Sequence, residues 1–502
     1  MKRIFRIITI LALATACPAV ISCEGDKPVE NPGPDPTPEP GPDPTPEPGP
    51  DPGTDPTPVP DFSKEEDAIG TYFSETLKAY AGPYSSTCPL STEELEDAEK
   101  FVWEVWKKQN DAFDEEKLVT LTTLNKEKSL GKFYIPVELE EDLNMPGSPA
   151  KMNYYWGSHG SRPEGGYPAF IYLHGSGAVT TEWANGFDIC MYSASAGPAA
   201  YLIPRIPNGV TTSEFSLYRW WQKGKQYVWE KFIRQSFLRD EINPNRFFFF
   251  GVSEGAYGSQ RLASFYADYL AGAGPIAGGE FLQNAPPENC ANIAFSLRTG
   301  SEDNGYGRNI ITTNTKREFG RLAGLHKGYY EHNIEVVPDA THTSVGYYET
   351  IPWLIDKVRN PYPKYVYWER LDQDGIYRKG FHNLYIPETA NPTERLCYEM
   401  TIDGNNISLN VKKVTYTTTA WAPEPYYNAV DCSKSYSPAT GGKVVIYLCD
   451  ELVDLGSEVT VTVNGTEAYR GIPELNLGNL VSSCALFYDP YRLYPAAVEV
   501  SF

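Results

Sequence analysis

The chain has 502 residues, too many for one compact core, and 41% of them are hydrophobic, as in globular proteins. Its formal net charge is −22, from 65 acidic and 43 basic side chains, which argues against nucleic acid as a partner and against electrostatic binding to anionic lipid. Part of this charge lies in an acidic linker near the N-terminus, so the folded body is less acidic than the total indicates.

The first residues predict export. Met1-Lys2-Arg3 precedes an apolar run over residues 4–20 that is short and ends in small residues, as a secretory signal does. Val20-Ile21-Ser22-Cys23 resembles a bacterial lipobox, in which the cysteine is lipidated, and Cys17 fits that pattern less well. We therefore expect a lipoprotein signal peptide over residues 1–22 with Cys23 as the lipid anchor. An ordinary cleaved signal is the alternative.

A stiff tether is expected after the anchor. Residues 23–61 consist largely of Pro, Asp, Glu, Thr and Gly, and proline both fixes φ and removes hydrogen-bond donors, so the segment should be extended. Its acidic start resembles that of gram-negative lipoproteins sent to the cell surface. This resemblance implies an outer-membrane or cell-surface lipoprotein, with the periplasmic face also possible, that touches the membrane through its lipid alone.

Seven cysteines remain after the signal and the anchor are set aside. Their number is odd and no Cys-x-x-Cys spacing occurs, which excludes a disulfide scaffold and a zinc site but leaves one or two bridges open. No metal or organic cofactor is expected, and the oligomeric state is not predicted. The seven are Cys88, Cys190, Cys290, Cys397, Cys432, Cys449 and Cys484.

Residues 62–360 show the pattern of an α/β domain. A capping box at Ser91–Glu94 opens an amphipathic run, and a helical extension is predicted over about 64–128. Apolar runs then alternate with helix-compatible stretches, which predicts a mostly parallel sheet flanked by helices. The predicted strands cover residues 132–139, 153–156, 169–173, 199–203, 247–250, 272–276, 293–297 and 334–337.

The pattern changes near residue 361, after Asn360-Pro-Tyr-Pro363. Period-two runs rich in Val, Thr, Tyr and Ile follow, and Asn464-Gly465 is typical of a hairpin turn. Residues 361–502 are therefore predicted to form a separate β-sandwich domain.

Gly251-Val-Ser253-Glu-Gly255 stands between a run of four phenylalanines and a helix-compatible stretch. This strand–turn–helix context places a serine on a strained turn, where side chains at either glycine would collide with neighbouring backbone. A serine hydroxyl needs a base, and of the six histidines His342 is the one that follows the last predicted sheet strand without lying in the β-rich C-terminal part, as His382 does. Ser253 is thus the candidate nucleophile and His342 its candidate base.

An acid should follow the predicted strand 293–297 if the order is serine, acid, histidine. Asp303 is the first choice, with Glu302 in reserve and Asp339 third, because Asp339 lies only three residues before His342. For the oxyanion, we expect the backbone amide of Glu254 and, from the loop His174-Gly-Ser176-Gly177, the amide of Ser176.

A further set of residues lies on loops expected at the active-site edge and is predicted to line the substrate site. Exposed tryptophan would stack on sugar or phenolic rings, although packing beneath a long loop explains the same residues equally well. The set is His174, Arg205 and Trp220.

The motifs His174–Gly177, Gly251–Gly255 and Thr341-His342 make residues 165–360 resemble the α/β-hydrolases, in particular bacterial esterases grouped with polyhydroxybutyrate depolymerases and feruloyl esterases. The resemblance implies a serine hydrolase with a Ser-His-Asp acyl-enzyme mechanism that acts on carboxylic esters, with acylated polysaccharide or oligosaccharide as partner. A serine peptidase of the prolyl-oligopeptidase kind and an inactive glycan-binding lipoprotein are the alternatives. The acid segment Ser301-Glu-Asp-Asn304 departs from the family pattern.

Overall fold

A computed structural model describes residues 61–85, 88–139, 150–207 and 219–502. The predicted signal peptide, Cys23 and all of the tether except Asp61 lie outside these ranges. Within them, no helix has the length and apolar character that crossing a membrane requires. The seven cysteines that remain beyond the signal and the anchor are all described, and all have free thiols.

Among the described residues, the main sheet has nine strands in the order β1-β3-β5-β4-β6-β7-β8-β9, and β2 pairs with β3. The neighbours from β5 through β9 run parallel, as do β1 and β3, whereas β3 is antiparallel to β2 and β5. The strands are β1 (Thr122–Thr123), β2 (Leu130–Ile135), β3 (Ala150–His159), β4 (Tyr167–Leu173), β5 (Ala199–Pro204), β6 (Ile242–Val252), β7 (Gly272–Ile276), β8 (Ala294–Gly300) and β9 (His332–Val337).

The central strands are apolar throughout because both faces of the sheet are covered. Side chains alternate along a strand, so Phe247 and Phe249 of β6 enter one buried cluster while Phe248 and Phe250 enter another. The helices divide accordingly: α4, α5 and α6 pack on the first face, and α3 and α7 pack on the second. The helices are α3 (Val179–Ser193), α4 (Lys223–Phe237), α5 (Glu254–Tyr266), α6 (Arg308–Leu325) and α7 (Thr350–Leu354). The predicted mostly parallel, helix-covered sheet is confirmed.

The predicted N-terminal helical extension is shorter than expected. Helices α1 (Glu66–Thr76) and α2 (Leu95–Ala112) are present, but the chain between Ala112 and β1 is not helical, and it enters the sheet at β1. The apolar faces of α1 and α2 pack against α8 (Leu477–Phe487), and Leu90 N–H donates to Leu475 O at 2.9 Å. The extension therefore packs on C-terminal residues.

Two further sheets follow residue 361. The first has the order β10-β13-β14-β17-β18 with β15 against β14, and the second has the order β11-β12-β16-β19. Their strands are β10 (Tyr365–Arg370), β11 (Gly380–Phe381), β12 (Leu384–Thr389), β13 (Leu396–Asp403), β14 (Asn406–Trp421), β15 (Ala429–Pro438), β16 (Gly442–Leu448), β17 (Val459–Val463), β18 (Thr466–Gly471) and β19 (Ala496–Ser501).

The hairpin turn predicted at Asn464-Gly465 joins β17 to antiparallel β18, and both turn residues have positive φ, 50° and 82°. The arrangement of the two C-terminal sheets as a sandwich stays a prediction, as does the domain boundary at 360/361. One buried apolar cluster contains residues of β6 and of β13, β14 and β16, so the two parts of the chain share a core.

Candidate active site

Ser253 lies on the turn between β6 and α5 with φ 59° and ψ −113°, a conformation that costs backbone energy. The two flanking glycines make the turn possible. A Cβ on Gly251 would lie 2.6 Å from the carbonyl oxygens of Leu173 and Gly255, and a Cβ on Gly255 would overlap Leu173 O. The turn is fixed by Ser253 N–H, which donates to Ile276 O of β7 at 3.0 Å. The serine hydroxyl is thereby presented at the carboxyl edge of the parallel strands.

A continuous hydrogen-bonded chain joins Ser253, His342 and Asp303. His342 Nε2 is 3.0 Å from Ser253 Oγ, and His342 Nδ1 is 2.7 Å from Asp303 Oδ2. The three residues follow β6, β8 and β9, whose carboxyl ends meet at one edge of the sheet. Because a carboxylate only accepts, Nδ1 carries the imidazole proton, which leaves the Nε2 lone pair free to accept the serine hydroxyl proton.

Asp303 is buried and held from several sides. Arg308 Nη1 donates to Asp303 Oδ1 at 3.0 Å, and Asp303 N–H donates to Gly300 O at 3.1 Å. The other two candidate acids are exposed, and the hydrogen bonds that place them involve Ser301 and Ala340 instead of His342: Glu302 N–H donates to Ala340 O, and Asp339 N–H to Ser301 Oγ. Of the three carboxylates, Asp303 is the one that contacts the imidazole.

The loop after β4 carries the predicted oxyanion donor Ser176. Its neighbour Gly175 approaches the nucleophile closely, since a Cβ there would lie 3.4 Å from Ser253 Cβ. Glu254 is the first residue of α5, so its backbone N–H has no partner in a preceding helical turn. Both residues border the space around Ser253.

His174 and Trp220 were predicted to line the substrate site, and the structure places both in the core with 0% exposure. Ile206 N–H donates to His174 Nε2 at 3.1 Å, so the proton resides on Nδ1, which donates to Gly175 O at 2.6 Å. Trp220 Nε1–H donates to His174 O at 3.0 Å. Burial lowers the pKa of His174 to about 4, so the ring is neutral. The two side chains therefore do not line the substrate site, and they hold the loop after β4 from its core side.

Arg205, the third residue of that predicted set, also lies outside the described linings of the cavities around Ser253. Its guanidinium lies 5.7 Å from the centre of the Trp183 ring, and its backbone N–H donates to Asn153 O at 2.7 Å. It belongs to the packing between β3, β5 and α3.

Glu182 on α3 is a further residue of the site that was not predicted from the sequence. Its carboxylate accepts hydrogen bonds from the backbone N–H groups of Gly175 and Gly177, and its charge also acts on His342. Burial raises the pKa of Glu182, and the two amides and His342 oppose that shift. A Cβ on Gly175 would lie 2.9 Å from Glu182 Oε2, so the glycine makes room for the carboxylate. Glu182 lies outside the glycine-rich motif and contacts the loop only in the folded protein, so no local sequence motif predicts its position.

Two cavities flank Ser253, and both include Ser176. Cavity A, of about 360 Å³, lies on the side of Glu254, and cavity B, of about 440 Å³, contains His342 and Glu182. The described lining of cavity A also includes Arg219, Tyr257, Arg261, Gly279, Glu280, Phe281, Asn284, Tyr306, Arg308, Ile311, Asn428 and Ala429. The described lining of cavity B also includes Tyr172, Gly175, Gly177, Asn185, Asp188, Ile189, Val252, Thr343, Tyr347 and Tyr348.

Comparisons with known proteins give no family assignment. No family model matches the chain, and no curated protein matches it by sequence. Among solved structures, a thermostable esterase is 17% identical with a TM-score of 0.35, over 46% of this chain and 64% of that one.

Two other solved structures are similar over comparable shares of the chain. The feruloyl esterase module from Clostridium thermocellum is 15% identical with a TM-score of 0.31, over 49% of this chain and 98% of that one. A dipeptidyl aminopeptidase IV from Bacteroides ovatus is 13% identical with a TM-score of 0.33, over 45% and 35%. Scores this low carry no inference about activity, so the function is inferred from the site itself.

Proposed function

We propose that the protein is a serine hydrolase that cleaves carboxylic esters through an acyl-enzyme. One observation carries the proposal: the hydrogen-bonded chain from Ser253 Oγ through His342 to the buried carboxylate of Asp303. This arrangement supplies a nucleophile, a base and a group that orients and stabilises the base.

The reaction proceeds in two halves. As Ser253 Oγ attacks the ester carbonyl carbon, its proton moves to His342 Nε2, and Asp303 stabilises the imidazolium. Nε2 then donates that proton to the departing alkoxide oxygen, the carbon–oxygen bond breaks, and an alcohol leaves. In the second half, a water molecule gives a proton to His342 Nε2 and attacks the carbonyl carbon of the acyl-enzyme. The bond to Ser253 Oγ then breaks, Nε2 returns the proton to Oγ, and the carboxylic acid is released.

Charge on the carbonyl oxygen has to be stabilised in both halves. The backbone amides of Glu254 and Ser176 are the proposed donors, because Glu254 follows the nucleophile at the start of α5 and Ser176 borders the same space. The positive end of α5 adds to this stabilisation.

We further propose that the substrates are acyl or feruloyl-type esters on polysaccharides and that the enzyme works as an exported, lipid-anchored protein. The N-terminal sequence, with its apolar signal, Cys23 and acidic proline-rich tether, supports export and lipid anchoring. The two cavities beside Ser253 support such substrates, because an ester of a large acid and a large alcohol needs space on both sides of the nucleophile.

A fluorophosphonate probe tests the nucleophile. We expect labelling of the wild type and of Ser195→Ala, a control at an exposed serine in the short helical turn after α3, and no labelling of Ser253→Ala. Labelling that persists in Ser253→Ala, or is absent from the wild type, would contradict the proposal.

Substrate panels then separate the kinds of hydrolase. Aryl acetates and methyl hydroxycinnamates should be hydrolysed in a Ser253-dependent way, whereas a prolyl peptide amide should not. Cleavage of the amide in preference to the esters would favour a peptidase. Absence of any turnover, with glycan binding retained, would favour a binding protein.

A further inference from the structure

The position of His342 distinguishes the two cavities chemically. His342 Nε2 has to reach the oxygen of the leaving alcohol to protonate it, and His342 lines cavity B but not cavity A. Four groups surround the carbon in the tetrahedral intermediate: the serine oxygen, the oxyanion, the leaving oxygen and the acyl chain. With the leaving oxygen directed to cavity B, the acyl chain extends into cavity A.

One wall of cavity A comes from the C-terminal part of the chain. Asn428 and Ala429, at the tip of the hairpin between β14 and β15, lie more than 170 positions after Ser253 and still border the same space. We define the hairpin tip as residues 422–430.

The hairpin tip packs against the segment that follows Asp303. Asn428 Nδ2 donates to Tyr306 O at 2.6 Å, and Asn314 Nδ2 of α6 donates to Val430 O at 2.8 Å. The Tyr306 and Tyr426 rings contact each other with centroids 4.6 Å apart. Ala422, Val430 and Ile311 form a small buried apolar cluster beneath the tip. The wall is thus preformed by packing as well as by hydrogen bonds.

Cavity A combines aromatic rings with unsatisfied polar groups. Tyr306 is 52% exposed, and Phe281 lies on the same lining. Asn428 Oδ1 and Glu254 Oε1 are buried without a hydrogen-bond partner among the described residues. A buried oxygen without a partner is unfavourable, so a ligand that donates hydrogen bonds to those side chains gains affinity.

We propose that the hairpin tip forms one wall of the acyl-group subsite in cavity A and that this wall favours aromatic acyl groups bearing hydroxyls. A ring fits against Tyr306 and Phe281, and its hydroxyl donates to the Asn428 and Glu254 oxygens after small side-chain rotations. The proposal rests on the proposed esterase function and identifies its acyl specificity. The C-terminal part of the chain then contributes directly to substrate choice.

Two esters with the sizes of their acyl and alcohol groups reversed test which of these groups binds against the hairpin tip. Methyl cinnamate has a large acyl group and a small alcohol, whereas cinnamyl acetate has the reverse. Ala429→Phe, which fills cavity A, should lower kcat/KM for methyl cinnamate at least about tenfold and leave cinnamyl acetate nearly unchanged. Thr419→Phe, at an exposed site on the same hairpin, is the control and should alter neither. Loss of cinnamyl acetate turnover alone would place the alcohol in cavity A and overturn the proposal.

A second pair of esters tests the preference for hydroxyls. The wild type should prefer methyl p-coumarate, which carries a ring hydroxyl, to methyl cinnamate, which does not. Asn428→Ala should reduce this preference about tenfold, whereas Thr419→Ala, at the exposed site outside the hairpin tip, should not. An unchanged preference in Asn428→Ala, with an unchanged melting temperature, would overturn the proposal.

Failure of this proposal is distinguishable from failure of the proposed function. If the ester preferences do not change as expected but Ser253-dependent turnover and fluorophosphonate labelling remain, the esterase assignment survives and the subsite assignment falls. If the wild type neither reacts with the probe nor hydrolyses any ester, both fall.

Discussion

At the scale of single residues, Asp303 provides the sharpest test of the site. Its Oδ2 contacts His342 and its Oδ1 accepts from Arg308, so an amide would keep the shape but place a donor or a neutral acceptor opposite Nδ1. Asp303→Asn should lower kcat about 10⁴-fold by favouring the wrong imidazole tautomer and removing the stabilising charge.

Glu302→Gln is the matched control, because Glu302 is adjacent in sequence but exposed. It should retain activity close to wild type in the same ester assay. A larger loss in Glu302→Gln than in Asp303→Asn would assign the acid to Glu302.

Glu254 gives a prediction about stability and pH. Burial raises its pKa to about 7, Glu280 reinforces that shift, and Arg219, Arg261 and Arg308 oppose it. The folded state therefore binds this proton more tightly than the unfolded chain. The resulting stabilisation is complete below pH about 4.5 and disappears as pH rises through about 7, and amounts to at most about 3 kcal/mol.

The measurement compares denaturant unfolding of the wild type and Glu254→Gln at pH 4 and pH 8. Because glutamine does not titrate, the free energy of unfolding of the variant relative to wild type should rise over this interval. A difference that stays constant with pH would show that Glu254 does not titrate in the folded protein in this range.

From the sequence, chain order alone predicted which side chains meet at the sheet edge, and their catalytic roles stay predictions. Ser253, Asp303 and His342 each follow a predicted strand, and parallel strands bring their carboxyl ends to one edge. His174 was misplaced because a histidine at the start of a glycine loop has the same sequence context whether its ring faces a cavity or the core. The deciding contact, from Ile206 N–H, lies 32 positions away. Glu182 and Asn428 were missed for the same reason.

At the scale of elements, the loop 174–177 is held between two supports. His174 and Trp220 fix it on the core side, and the Glu182 carboxylate binds the Gly175 and Gly177 amides on the cavity side. Such anchoring orients the proposed donor amide of Ser176 before substrate arrives, which is what oxyanion stabilisation requires. Glu182 is thus a positioning residue for the loop.

Removal of this support should affect catalysis more than stability. Glu182→Ala should lower kcat at least about tenfold with a smaller change in KM, because the donor is displaced mainly in the transition state. Glu182→Gln retains oxygen and should recover part of the activity. Thr181→Ala, at an exposed site on the same helix, is the control. Equal losses in the Ala and Gln variants would indicate that the charge of Glu182, and not its hydrogen bonds, is what matters.

Element boundaries show where local sequence signals end. The four phenylalanines predicted a strand over 247–250, and the observed β6 extends from Ile242 to Val252 because pairing with β4 and β7 continues beyond the apolar run. The helical extension was overestimated because the stretch after Ala112 has helix-forming residues but enters the sheet at β1. In both cases, pairing with strands from elsewhere in the chain, and not local propensity, set the element boundary.

At the scale of the whole molecule, a buried ionic network links the α/β part to the C-terminal part. Asp268, which follows α5, pairs with Arg378 and with Arg492, the latter at 2.7 Å. Asp489 pairs with Arg492 at 2.8 Å and with Arg359 at 2.6 Å. Burial alone would raise the pKa of Asp268, and the guanidinium groups of Arg378 and Arg492 more than offset it, so the carboxylate is ionised.

Because this network and the shared apolar core both cross residue 361, we expect residues 61–502 to unfold in one cooperative transition. Asp268→Asn leaves two buried guanidinium groups undercompensated and should destabilise that single transition by about 3–5 kcal/mol. Glu499→Gln removes the half-exposed pair with Lys443 and should cost less than about 1 kcal/mol. Calorimetry with both variants provides the test. If Asp268→Asn instead yields two transitions, one at the wild-type temperature, the two parts fold independently and the hairpin tip reaches cavity A only as a docked domain.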